Sequence, residues 1–377
     1  MIRSLASLLD AYDAAAPLDQ ARTIPSSWYT DPRIFELEQG AVFGRTFQPV
    51  ARKDQLADPG SYVTAEVAGE PVVVVRGSDG ELRAFFNVCR HHAAAVVTEP
   101  EGRAQRLRCP YHGWTYSLEG ELRGTPELEG VCRFEKAENG LVPARLEVWE
   151  EFVFVAVEGS APTVAASLGD FGARFSGLGL SSLRFYERRV FEVACNWKVY
   201  VDNYLDGGYH VPHAHKGLSS VLDYSAYTIE TAGRACLQSS PIDAEKGDPD
   251  AVSTRRGTSA HYLWIYPGFM LNWYEGYMDT NLVIPLGPDR MRVIFDFYFS
   301  DRAGSSEEER RRSIAVAERI QEEDKTICES VQRGLRSRAY EAGRLSVRRE
   351  AGEHLFHRLL AADLRSAAPF TGRAGRD

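Results

Sequence analysis

Between Cys89 and His112 the chain places a Cys-x-His pair and then, after a hairpin-sized insert, a Cys-x-x-His pair. Two thiolates and two imidazoles offered from two tight loops can hold a [2Fe–2S] cluster, with Cys89 and Cys109 on one iron and His91 and His112 on the other. Imidazole is neutral where thiolate is anionic, so the reduced cluster would carry less negative charge and its potential would lie above that of an all-cysteine cluster. Such a centre relays electrons. A structural zinc ion is the competing reading, since two Cys and two His also suit tetrahedral Zn²⁺. Zinc fingers, however, group their cysteines before their histidines. Here each loop supplies one of each, and the second runs on as CPYHGW, with Gly113 permitting a tight turn. His92 reads as a surface or supporting residue beside His91.

A second set of chemistry-bearing residues follows about a hundred positions on. His210, His213 and His215 fall within six residues, preceded by Asp202 and Asp206. Two histidines and one carboxylate on one face of an Fe(II) ion leave open positions for O₂ and substrate. Such an iron by itself supplies too few electrons to activate O₂ fully, and an electron relay in the same chain would provide the remainder.

Both sets need scaffolds, and the patterning suggests an α+β chain in two domains. Residues 1–45 have helical spacing at Ile34, Phe35, Leu37, Val42 and Phe43 and are expected to pack on the larger domain. Residues 46–157 turn to short strands with turn signals, as in SYVTAEVAGEPVVVVRGSDGELRAFFNVC, WTYSLEGELRG and VWEEFVFVAV. They predict an all-β module with the cluster loops at its tips. Residues 158–377 predict a domain built on an antiparallel sheet covered by helices. It begins with a Gly- and Ser-rich connection carrying one short helix, and a strand at ERRVFEVACNWKV leads into a helix near Tyr200. A meander over 260–299 turns at Pro267-Gly268 and Gly287-Pro288-Asp289. A long amphipathic helix over 306–338 is capped by Ser305 or Ser306, and the tail past Leu360 is expected to fray.

The net charge of −9 argues against nucleic acid or an anionic membrane as partner. No apolar run approaches the roughly 20 residues that span a bilayer, and Asp10 and Asp13 interrupt the apolar N-terminal patch, so a cytoplasmic location is the expectation. Six cysteines in 377 residues are too few for a disulfide scaffold, and Cys132, Cys195, Cys236 and Cys328 read as free thiols.

The combination of CRHHA…CPYHGWTYSLEG with DNYLDGGYHVPHAHKGL resembles the catalytic α subunit of Rieske non-haem iron oxygenases. The stretches MDTNLVIPLGPDRMRVIFDFYF and ICESVQRGLRSRAYEAGRLS are most similar to its choline monooxygenase and betaine demethylase branch. The resemblance implies a Rieske [2Fe–2S] cluster on Cys89, His91, Cys109 and His112. It further implies a mononuclear Fe(II) on His210 and His215, from the family's His-x₄-His, with Asp324 in QEEDKTICE as the third ligand. His213, Glu322 and Glu323 are the alternatives. Many members carry an aspartate three positions before the first iron histidine, bridging cluster and iron. Here that position is Gly207, and Asp206 or Asp202 would take the role.

The same resemblance implies O₂ as co-substrate, electrons from NAD(P)H through a separate reductase, and a homotrimer in which each cluster serves the neighbouring iron. No dinucleotide fingerprint is present in this chain, in keeping with a separate reductase. The expected substrate is a small methylated ammonium compound, oxidised as choline is or N-demethylated as betaines are. Ring hydroxylation of an aromatic compound is the alternative, and a pure electron carrier a third reading that the second histidine set disfavours. Aromatic side chains bind quaternary ammonium by cation–π attraction. The run HYLWIYPGFMLNWYEGYMDTN offers Tyr262, Trp264, Tyr266, Trp273, Tyr274 and Tyr277, with Glu275 as counter-charge. Any sheet core contains such aromatics too.

Overall fold

The computed structural model describes residues 3–220, 222–242, 257–301 and 306–367. Its chain divides into two compact units, Phe43–Ala165 on one hand and Met1–Val42 with Ala166–Asp377 on the other.

The Phe43–Ala165 unit is built from strands β1 (Gln48–Arg52), β2 (Ser61–Val67), β3 (Glu70–Arg76), β4 (Leu82–Phe86), β5 (Glu101–Arg103), β6 (Leu107–Arg108), β7 (Thr115–Tyr116), β8 (Leu122–Gly124), β9 (Pro143–Trp149) and β10 (Phe152–Ala156). Seven of them form one sheet in the order β1-β10-β9-β4-β3-β2-β5, and β6-β7-β8 form a second. Four consecutive valines in β3 explain how the two cores are joined. Side chains alternate across a strand. Val73 and Val75 therefore face Tyr62, Phe85, Leu107, Trp114 and Tyr116, a core that also holds Cys89 and Cys109. Val72 and Val74 face the opposite way, onto Val63, Val67, Ala84, Val153 and Val155. The cysteine pair thus sits in hydrophobic packing at the end of a sheet buried on both sides.

The other unit opens with short helices α1 (Leu5–Leu9), α2 (Ser26–Thr30) and α3 (Pro32–Glu38). Where the sequence suggests one short helix in the connection, two form, α4 (Val164–Leu168) and α5 (Phe171–Ser176). The sheet comprises β11 (Leu183–Val193), β12 (Thr228–Ala232), β13 (Ala235–Pro241), β14 (Ser259–Ile265), β15 (Phe269–Tyr274), β16 (Tyr277–Gly287) and β17 (Arg290–Ser300), all antiparallel, in the order β11-β17-β16-β15-β14-β13-β12. Helix α6 (Trp197–Leu205) begins where the Asn196 side chain accepts from the Lys198 amide. The one-turn helices α7 (Val211–Ala214) and α8 (Lys216–Ser219) follow it.

The long helix α9 (Glu307–Leu335) starts at Ser306, whose hydroxyl accepts from the Glu309 amide while the Glu309 carboxylate accepts from the Ser306 amide. Ser305 lies outside the described residues. Over Leu360–Ala367 the expected fraying does not occur, and residues 368–377 lie outside the described residues. Helix α10 (Ala351–Ala367) continues to Ala367, because Phe356, Leu360, Ala361 and Leu364 form a fully buried apolar stripe at helical spacing.

Candidate metal centres and active site

In the first centre the Cys89 loop is closed by the Cys89 amide donating to Ala94 O (2.8 Å) and the Ala93 amide to Cys89 O (3.0 Å). The second loop is closed by the Cys109 amide to Trp114 O (2.9 Å) and the Gly113 amide to Cys109 O (3.1 Å), with Gly113 at φ 72°. The amides of Tyr111 and His112 point at the Cys109 sulfur, and the Tyr116 hydroxyl lies 3.4 Å from the Cys89 sulfur. Burial raises the Cys109 pKa, and the amide donors oppose that shift by favouring the thiolate, the form that a metal would need.

His91 and His112 bring their rings to 4.7 Å, and His91 stacks on Trp114 at 4.7 Å with 5° between the planes. Its buried Nδ1 has no hydrogen-bond partner. A buried nitrogen left bare is costly unless it binds something, so a ligand role fits. A single tetrahedral zinc ion fits worse. It would draw four donor atoms to one point, yet among the described residues the sets of three donors lying within 4.8 Å of one another are two others. A two-iron cluster, with sulfur and nitrogen pairs on separate irons, suits the arrangement. His92 is exposed beside His91, as expected.

One of those two sets is His210, His215 and Asp324. His210 Nε2 lies 3.1 Å from His215 Nε2, and Asp324 Oδ1 lies 3.0 Å from the second and 3.6 Å from the first. The opposite ring nitrogens are engaged by acids, Nδ1 of His210 at 2.6 Å from Asp206 and Nδ1 of His215 at 2.7 Å from Glu323. Each imidazole donates from Nδ1 to its carboxylate and turns the Nε2 lone pair to the common point, the usual support of a metal-binding histidine. Asn203 Nδ2 donates to Asp324 Oδ1 at 2.8 Å. Burial lowers the His215 pKa, but the carboxylates of Asp324 and Glu323 outweigh it and leave it raised. The same negative field attracts a dication, and the donor set fits Fe(II).

Local backbone makes this geometry. Helix α6 ends at Asp206, and Gly207 and Gly208 both take positive φ (68° and 69°), turning the chain so that Asp206 also accepts the amides of Tyr209 and His210. A side chain at Gly207 would place Cβ 2.1 Å from the Arg349 carbonyl oxygen. That explains why the acid stands one position earlier than the pattern common in the family. His213 is exposed and outside the group. Asp202 faces away from it, accepting from the Tyr29 hydroxyl (2.6 Å) and lying 3.0 Å from His357 Nε2.

Glu323, which the sequence offers only as a register alternative to Asp324, instead orients His215. Glu323→Ala is expected to weaken Fe(II) binding ~10–100-fold, with Glu323→Gln retaining part of it through its amide oxygen. Iron titration of the apoprotein measures this.

A cavity opens onto His210, His215 and Asp324. Its floor is one cross-strand row, Gln238 of β13 opposite Tyr262 of β14, Tyr262 opposite Asn272 of β15, and Asn272 opposite Asp279 of β16. Tyr200, Tyr204, Tyr227, Tyr274 and Asn281 add to the walls. Asp279, 3% exposed, accepts from the Tyr277 hydroxyl (2.7 Å), Asn272 (2.7 Å) and Asn281 (3.1 Å). Burial holds the pKa values of Tyr200, Tyr204 and Tyr227 well above the usual phenol range, so these rings stay neutral. The acidic side chains at the walls are Asp279 and Asp324.

Of the aromatic candidates, Tyr262 and Tyr274 line this cavity, joined hydroxyl to hydroxyl at 2.8 Å. The others are corrected. Trp264 and Tyr266 pack against Phe356 of α10, which covers that end of the sheet, and the Arg234 guanidinium lies 4.4 Å over the Tyr266 ring. Trp273, one residue from Asn272, points to the opposite face and packs with His261. Glu275 is exposed at the β15–β16 turn and cannot serve as the counter-charge. Tyr277 acts through Asp279 rather than on the cavity. Asn203, Tyr204, Tyr227 and Asp279 are the residues that sequence reasoning missed. The signal for Asp279 is an acid that, with Thr280 and Asn281, precedes the apolar run LVIPL in the same strand.

Residues 46–135 match the Rieske [2Fe-2S] domain model and residues 180–366 the model of the ring-hydroxylating α subunit catalytic domain. Similar proteins include chloroplastic choline monooxygenase of Arabidopsis thaliana, 40% identical over 97% of this chain and 88% of that protein. The carnitine monooxygenase oxygenase subunit of Escherichia coli (strain K12) is 34% identical over 91% of this chain and 94% of that one. The solved quaternary ammonium Rieske monooxygenase CntA in complex with its substrate L-carnitine superposes with a TM-score of 0.80 at 31% identity, covering 92% of this chain and 96% of that chain. Naphthalene 1,2-dioxygenase from Rhodococcus sp., at 20% identity over 92% and 95% of the two chains and a TM-score of 0.76, shares the fold. With a cysteine–histidine cluster site in an all-β unit and a two-histidine, one-carboxylate site beneath an antiparallel sheet, the chain belongs to the Rieske oxygenase α subunits, enzymes that couple a [2Fe–2S] cluster to a mononuclear iron.

Proposed function

We propose that this oxygenase hydroxylates a small quaternary ammonium compound, working as a homotrimer that receives its electrons from a separate NAD(P)H-dependent reductase. The observation that carries the substrate class is the cavity at His210, His215 and Asp324, where neutral tyrosine rings stand with the buried carboxylate of Asp279. Aromatic faces attract a quaternary ammonium group by about 0.5–2 kcal/mol each where water is excluded, and a buried carboxylate adds a charge that such a cation neutralises. The relatives named for choline and for carnitine oxidation support the reading.

Iron bound by the three donors supplies the O₂ chemistry. The chain's own residues do the rest. Asp206 and Glu323 fix the imidazoles, Asn203 holds the Asp324 carboxylate, and Asp279 with Tyr262, Tyr274 and Tyr227 holds the charged end of the substrate. Hydroxylation of an N-methyl group yields a hemiaminal that releases formaldehyde. Hydroxylation at an alcohol carbon yields an aldehyde hydrate.

The test is O₂ uptake with formaldehyde and aldehyde detection, using holoenzyme, a generic reductase with NADH, and choline, glycine betaine, carnitine and proline betaine. Coupled uptake with one of these is expected. None with any of them, alongside turnover of an aromatic compound, overturns the reading. Asp279→Asn is expected to raise KM for the cationic substrate ~10–100-fold, the worth of a charge-assisted contact. Inhibition by the uncharged isostere 3,3-dimethylbutanol should be unchanged, and an equal loss for both ligands would mean that Asp279 only shapes the cavity.

A further inference from the structure

The face around the cluster loops carries a charge that the site chemistry leaves unused. In the Phe43–Ala165 unit most arginines are paired. Arg45 meets Glu158, Arg83 meets Asp79, Arg103 meets Asp58, and Arg123 meets Glu121. Arg90, Arg106 and Arg108 differ. Arg90 stands between Cys89 and His91, and the other two lie just before Cys109. All three are exposed, and among the described residues their guanidinium groups have no hydrogen bond or ion pair.

Arg106, Arg108 and Lys136 line one groove, with Glu129 as the acid among its lining residues. The Arg108 guanidinium comes to 3.2 Å of the point where a Cβ on Gly113 would sit, so it lies over the residue that follows His112. Tyr111 and Val131, 65% and 55% exposed, offer large apolar side chains on the loop segments beside it.

We propose that this basic face is the docking surface of an acidic electron-donor protein. The proposal rests on the reading that the reductant is a separate protein. In a chain of net charge −9, cations left uncompensated beside the cluster form a local exception that would attract an acidic partner. Redox partners meet through small, transient interfaces and are steered to them by opposite charge, which sets the on-rate more than the affinity. Arginine together with exposed aromatic surface is the composition such contacts favour.

The experiment is stopped-flow reduction of the oxidised holoenzyme, followed at the cluster's visible absorption. The probe is a photoreduced plant-type [2Fe–2S] ferredoxin, a small acidic protein, and the control is the neutral deazaflavin radical. For the unaltered chain the second-order rate constant with ferredoxin is expected to fall at least tenfold between about 20 mM and about 300 mM salt, as the screening length contracts. Arg106→Glu/Arg108→Glu should be at least tenfold slower at low salt and nearly insensitive to salt. Its cluster spectrum, its deazaflavin rate and its sedimentation should be unchanged.

A variant as fast with ferredoxin as the unaltered chain, or an unaltered chain that ferredoxin does not reduce, overturns the proposal. An equal loss with deazaflavin assigns the arginines to the cluster loops themselves. A drop in oligomer size assigns the face to a second copy of this chain, and either result also overturns the proposal. Because reduction of the cluster is read without substrate, failure here is distinguishable from failure of the ammonium reading.

Discussion

Asp324→Ala is expected to bring substrate-coupled O₂ consumption down to background while the visible absorption of the cluster persists. Asp324 is the carboxylate in the set whose donor atoms converge within 4.8 Å, and the two imidazoles alone carry no charge to offset a dication. Removing a group that merely supports a metal ligand costs ~10–100-fold, so loss of the ligand itself should exceed ~100-fold. The variant also frees Asn203, which now donates to the Asp324 carboxylate, and lets His215 lose one of its two acidic neighbours. Iron content after loading, measured beside activity, separates lost metal from lost chemistry. A variant that kept half the turnover would move the third ligand to Glu322 or Glu323 and dismantle the site as described. His210→Ala should behave in the same way, and an intact cluster spectrum in both variants would show that the two centres are held by separate parts of the chain.

Lys198→Met should cost the catalytic unit ~3–5 kcal/mol, the usual result of leaving one member of a buried ion pair without its partner. Lys198 and Glu38 are each 0% exposed and meet at 2.5 Å, with the Trp197 indole donating to the second carboxylate oxygen at 2.7 Å. Burial raises the Glu38 pKa and lowers that of Lys198, and the mutual attraction opposes both shifts. Without Lys198 the carboxylate keeps only the indole. Glu38→Leu/Lys198→Met removes both charges and should recover most of the loss, less ~1 kcal/mol for the hydrogen bond from the Trp197 indole to Glu38. Urea unfolding followed by tryptophan fluorescence measures the cycle. Equal stability of the single and double variants would mean that Glu38 takes up a proton without consequence. The pair also matters for function, since it anchors the first turn of α6, the helix that positions Asn203 and Asp206.

Sequence reading reached different depths at the two centres. The cluster loops were legible because each ligand pair is separated by only one or two residues, so their types and spacing nearly define the loop. Strand and helix existence followed from periodicity, as in β3 and α9. The order of Leu360–Ala367 is not legible in the sequence, because burial of Phe356, Leu360 and Leu364 is decided by what α10 packs on. The aromatic run illustrates the same limit. All of its rings look alike along the chain, yet α10 covers Trp264 and Tyr266, the opposite face takes Trp273, and the cavity receives Tyr262 and Tyr274.

The sequence by itself thus determined the kinds of centre and the family, since both are written in residue types at short fixed distances. Only the tertiary structure decided which acids engage the histidines, which buried acid faces the cavity beside them, and which cations near the cluster go unpaired among the described residues. Gln238, Tyr262, Asn272 and Asp279 form one row solely through the register of four antiparallel strands. A shift of one residue would send each of those side chains to the other face.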